Sequence, residues 1–212
     1  MSAHVLKTRF QALLRPLAER MAEKGTSANE ITLLSITGSL VVGSSLLNYA
    51  DHHWFVMLPV WLLLRAMMNA IAATLAREQG GASPVDTYIN EFGSLVSNAV
   101  LIAPFALVAP FDVAWIVAIV ALSVLAEFAG ALGPSVGASR RRDGPLAAGE
   151  TAFVFGILGA WLGIAGALPE RAHLLQPAIC LALALTILNR IRAGVREART
   201  VIPADSEDLF EN

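Results

Sequence analysis

The chain has 212 residues, 56% hydrophobic and 15% charged, with a mean hydropathy of +0.62, above what a soluble domain of this length carries. A formal charge of −2 gives no reason to expect a nucleic-acid partner, and one cysteine, Cys180, excludes an internal disulfide framework. A bilayer core about 30 Å thick needs roughly 20 apolar residues in a helix, so the composition asks for membrane spans.

No h-region or small-residue cleavage site follows Met1, so no secretory signal peptide is expected. Instead Leu6, Phe10, Leu13, Leu14, Leu17 and Met21 recur at helical spacing, with Lys7, Arg9, Arg20 and Lys24 on other faces. That pattern predicts an amphipathic helix lying in the headgroup plane over residues 1–26, bent at Pro16. It reads equally as a plain anchor or as the border of a pocket. Ser27-Ala-Asn-Glu30 has the spacing of a capping box and opens the first span.

Six runs are long and apolar enough to cross: Ile31 to Tyr49, Trp54 to Leu75, Phe92 to Pro110, Val113 to Leu132, Ala152 to Leu168 and Leu174 to Leu188. They define a membrane domain over residues 27–194. Cys180 inside the last run reads as small apolar filler. After it, residues 195–212 end in VIPADSEDLFEN, whose four carboxylates and few apolar groups predict a disordered acidic tail. Lys and Arg fall before the first span, after the second (Arg77), after the fourth (Arg140, Arg141, Arg142) and after the sixth (Arg190, Arg192, Arg196, Arg199), while the alternate loops hold only Arg171. Both termini are therefore expected in the cytoplasm.

Polar groups at membrane depth are the functional candidates: Arg65, Asn69, Asn90, Glu91, Asn98, Glu127 and Asn189. Any one amide is most simply an interhelical hydrogen-bonding group. Their arrangement says more, because Asp86, Asn90, Ser94 and Asn98 recur every four residues and form one helical stripe, opposite Asn69, Ala72, Ala73 and Ala76 on the preceding helix.

These residues resemble the integral membrane CDP-alcohol phosphotransferases, whose signature D-x2-D-G-x2-A-R-x8-G-x3-D-x3-D spans the second and third helices of a six-helix fold. Anchoring on Ala76-Arg77 places the acid positions at Asn69, Ala72, Asn90 and Ser94 and the glycine positions at Ala73 and Asp86. GTSANEIT before the first span and SRRRDGP before AFVFG support the register. The chain looks closest to a bacterial branch carrying NAIDG and YLNE, in which Asn69 and Asn90 are ordinary and Ala72, Ala73, Asp86 and Ser94 are the departures. The lysine expected at the start of the fifth span is replaced by LAAGET, around Ala147 and Ala148.

The resemblance implies an all-α membrane protein, six transmembrane helices behind an N-terminal interfacial helix, in a bacterial inner membrane. It implies an ancestral transfer of a phosphatidyl group from CDP-diacylglycerol to an alcohol, with release of CMP. It also implies substrate contacts at Asn69, Ala73, Ala76, Arg77, Asp86, Asn90, Arg140, Arg141 and Arg142, and a general base at the position of Ser94. Such enzymes use Mg2+ or Mn2+, which need hard, charged oxygen ligands. The acid positions here hold amide, methyl, amide and hydroxyl, and a serine hydroxyl is no base at neutral pH. The expectation is thus a degenerate copy, inactive or impaired and needing no cofactor, that binds membrane lipids or CDP-diacylglycerol and pairs with itself or with an active homologue. The alternatives are an active transferase with a rewired site around Asp86 or Glu91, which would need Mg2+ or Mn2+, and a non-catalytic lipid-binding or structural subunit.

Overall fold

The computed structural model describes residues 14–48, 51–78, 81 and 83–201. The first half of the expected interfacial helix and the acidic tail from residue 202 lie outside the described residues. Those described are helical, with no strand among them: α1 (residues 14–23), α2 (Ala28–Asn48), α3 (Met57–Glu78), α4 (Pro84–Ile102), α5 (Val113–Ala131), α6 (Ala148–Ala165) and α7 (Leu175–Val201), with short 3-10 turns between. Six of the helical segments are long and apolar enough to cross a membrane. Large apolar side chains such as Leu34, Val60, Phe153 and Ile164 stay exposed, as they must where lipid is the solvent.

The capping box at Ser27 forms: the Glu30 N–H donates to Ser27 Oγ at 3.2 Å and the Ser27 N–H to Glu30 Oε2 at 2.9 Å. Two boundaries differ from the hydropathy reading. α4 starts at Pro84 rather than near Phe92, because Ser83 and Asp86 form a second capping box with Pro at the first turn. α7 runs on to Val201, so residues 195–201, read from composition as the start of the tail, continue the last helix.

The chain divides into two units. The first comprises Met1–Pro104 and Phe155–Ala167. In it α1 turns Leu14 and Ala18 onto Ile31, Met68, Ile71, Ala72 and Leu75 in one apolar cluster, and leaves Leu17 exposed. α2 packs on α3 and α4 at very short range: a Cβ on Gly93 would meet Ile36, and one on Gly43 would meet Val100. Gly159 and Gly163 of α6 lie against Leu58 and Val56, so that small-residue spacing serves packing inside the chain. His53 Nδ1 donates to the Gly163 carbonyl at 2.8 Å.

The second unit comprises Phe105–Val154 and Leu168–Asn212, with α5 packed on α7. The segment between α5 and α6 is strapped to α7. Leu146 donates through its N–H to Thr186 Oγ1, whose hydroxyl lies 3.1 Å from the Leu146 carbonyl. Arg190, 2% exposed, donates to the carbonyls of Ala126 and Asp143 and, at 3.1 Å, to Glu127 Oε1.

Candidate functional site

Three helices of the first unit converge on a water-sized polar cleft lined by Thr32, Ser35 and Ile36 of α2, Arg65 and Asn69 of α3, and Asn90, Gly93, Ser94 and Ser97 of α4. The spacing on each helix is three or four residues, which turns one face of each inward. Gly93 admits the close approach of Ile36. The exposed amides Asn69 and Asn90 form the mouth, and Arg65, 7% exposed, and Ser97, 1% exposed, form the floor.

The stripe expected along α4 exists, and its members have different duties. Asp86 binds at both oxygens: Oδ2 accepts from the Ser83 N–H at 2.8 Å and Oδ1 from Asn29 Nδ2 at 2.6 Å, joining the start of α4 to α2. Asn98 Oδ1 accepts from Arg65 Nη1 at 2.6 Å, and the Ser94 carbonyl from Arg65 Nη2 at 3.4 Å. Ser97 Oγ is buried without a hydrogen-bond partner. The residues of the signature register separate. Asn69, Asn90 and Ser94 meet at the cleft, Ala72 is 9% exposed in the apolar cluster with Leu14 and Ile31, and Ala73 and Arg77 face outward. Ala76 is half-buried. Arg77 Nε donates to the Ala73 carbonyl at 3.2 Å.

In the second unit Arg140 Nη2 lies 3.8 Å from Glu127. Arg141 pairs with Asp143 and Glu197, and Ser139 donates twice to Glu197. The hydrogen bond that Arg141 donates to Asp143, ahead of the one it donates to Glu197, raises its guanidinium above the ordinary range. Arg142 is exposed. Sequence reasoning missed Arg190, counting it as a basic flank after the sixth span. The signal available was Glu127 inside the fourth span, an acid that requires a partner at that depth.

The fold defines the class: an integral membrane protein with a CDP-alcohol phosphotransferase-like arrangement of helices. Two solved structures of Mycobacterium tuberculosis phosphatidylinositol phosphate synthase (PgsA1) share it, each at 15% identity over 84% of this chain: one with CDP-DAG bound, TM-score 0.68 over 92% of that chain, and one in complex with manganese and citrate, TM-score 0.67 over 87%. In sequence the chain is similar to inner membrane protein YnbA of Escherichia coli (strain K12), 29% identical over 193 residues, covering 91% of this chain and 96% of that protein. No protein-family model matches it.

Proposed function

We propose that this is a member of the CDP-alcohol phosphatidyltransferase family, seated in a bacterial inner membrane, that binds lipid and is inactive or severely impaired as a transferase. The observation that carries the reading is the donor set at the cleft. Asn69, Asn90 and Ser94 supply neutral oxygens and Arg65 a cation, whereas a divalent clamp needs several carboxylates to balance its charge. The Mg2+ or Mn2+ that the fold family implies therefore does not fit these residues. Among the described residues no three His, Cys, Asp or Glu side chains gather in a metal-binding group, and Asp86 already accepts hydrogen bonds at both oxygens. The PgsA1 structure with CDP-DAG bound supports a CDP-linked or anionic lipid as ligand, and the family likeness favours a homodimer or pairing with an active homologue.

The test is CMP release from CDP-diacylglycerol by purified protein with Mg2+ or Mn2+ and common alcohol acceptors, including glycerol phosphate and inositol phosphate. No metal-stimulated release is expected. Metal-dependent turnover would overturn the inactive reading and make Asp86 or Glu91 the first residue to substitute.

The basic flanks place both termini in the cytoplasm in this proposal, and the loops at 50–53, 110–112 and 169–173 on the other side. With Cys180 replaced by alanine, a single cysteine at position 52 is expected to react only with a reagent applied from outside. Labelling from the cytoplasmic side would reverse the orientation.

A further inference from the structure

The floor of the cleft carries a charge that no carboxylate of the described residues balances. Arg65 sits thirteen residues before the end of α3 at Glu78, about 20 Å along the helix axis at 1.5 Å per residue, and is 7% exposed. Two of its five N–H donors meet neutral acceptors, Asn98 Oδ1 and the Ser94 carbonyl. No carboxylate of the described residues pairs with it. An ionised group at that depth is costly and ordinarily has a counter-charge. Beside it Ser97 Oγ, 1% exposed, has no partner, and a buried hydroxyl left unpaired is costly too. Both side chains line the same cleft. They share one remedy, an anionic oxygen that accepts from the guanidinium and from the hydroxyl.

We infer that this cleft is a metal-free oxyanion site in which Arg65 and Ser97, with the amides of Asn69 and Asn90 at the mouth, bind a phosphate group. The shape restricts the ligand: a water-sized space takes one or two phosphate oxygens and leaves the remainder of the molecule outside. The charge restricts it as well, because a guanidinium fork matches phosphate oxygens in two directions. The site lies one helical turn further from the α3–α4 connection than the acid positions at Asn69 and Ser94, since Arg65 precedes Asn69 by four residues and Ser97 follows Ser94 by three. A clamp between α3 and α4 accounts for the bond to Asn98, but not for an unbalanced charge or for the unpaired Ser97 hydroxyl.

The inference rests on the lipid-binding reading but does not require the protein to be inactive. Its test uses the full chain in uncharged detergent with EDTA, and the probes are inorganic phosphate, glycerol phosphate and dihexanoyl phosphatidic acid, with dihexanoyl glycerol as the phosphate-free control. Binding is read by thermal unfolding and by equilibrium dialysis. At least one phosphate probe is expected to bind and raise the unfolding temperature. Arg65→Gln, which keeps donors for Asn98 but removes the charge, is expected to weaken binding at least tenfold, and Arg65→Lys to retain more of it. Binding by phosphatidic acid alone identifies a lipid headgroup as the source; binding by inorganic phosphate as well identifies a free anion. Ser97→Ala keeps the helix and removes one donor, and a several-fold loss is expected there even if Arg65→Gln fails to fold. Failure of every phosphate probe to bind, or affinity unchanged in Ser97→Ala or in a folded Arg65→Gln, would overturn the site. Metal-dependent CMP release together with EDTA-resistant, Arg65-dependent binding would overturn the inactive reading and leave the site standing.

Discussion

Arg190→Leu is expected to destabilise the second unit by about 3 kcal/mol or more, the range seen when one partner of a buried ion pair is removed. The guanidinium holds three acceptors at once, the carbonyls of Ala126 and Asp143 and the Glu127 carboxylate, and the substitution leaves all three short of a donor. Glu127 would then face Arg140, at 3.8 Å. Gly130 shows how closely the arginine is fitted, since a Cβ there would lie 3.1 Å from Arg190 Nη1 and 2.6 Å from the Arg141 carbonyl. Among the described residues, Thr186 and Glu197 would still tie the segment from Ser139 to Leu146 to α7. Protease accessibility of that segment is therefore expected to rise along with a fall in unfolding temperature. Arg190→Lys is expected to recover part of the loss, because it keeps the charge but has no fork to reach several acceptors. An unfolding temperature within a degree of the wild type in Arg190→Leu would show that the buried charge is not what ties this segment down.

Gly43→Leu is expected to cost more than the roughly 1–3 kcal/mol of ordinary overpacking. A Cβ at position 43 would lie 2.4 Å from Val100 Cγ1 and 2.5 Å from the Val100 carbonyl oxygen. A side chain can rotate away, whereas the carbonyl belongs to α4 and moves only if the helices part. Separation would also open the cleft, since Gly93 and Ile36 hold α2 against α4 beside it. Gly149→Ala is the control. Nothing lies within 4 Å of a Cβ there, and alanine favours the first turn of α6 by up to about 1 kcal/mol. Comparable losses from both substitutions in thermal unfolding would deny that helix approach at Gly43 sets stability.

How far the site could be read in advance varied from residue to residue. Four-residue spacing identified the face of α4 that carries Asn90 and Ser94, because helical periodicity is a local property. It could not distinguish Ala72 from Asn69, although both belong to the same signature register. Three positions on a helix turn a side chain by about 300 degrees, and which face meets which neighbour depends on α1 and α2. The cap at Ser83 was legible as Ser-Pro-Val-Asp, but an apolar threshold passes over it and starts the helix near Phe92.

Apolar run length determined the number of spans and most of their bounds, because a chain in lipid must satisfy its backbone internally and a helix long enough to cross is what does so. Residue types determined the chemistry on offer at the cleft, two amides and hydroxyls beside one guanidinium. What only the tertiary structure decided is where the charges lie. Arg65 and Arg190 look alike in sequence, one inside an apolar run and one after it, yet both are buried. Arg190 meets Glu127, 63 residues earlier in the chain, while Arg65 meets an amide and a carbonyl on α4. Charge compensation acts over a few ångströms of space and is indifferent to separation along the chain. For that reason one arginine is a strut, and the other faces a cleft shaped for an anion.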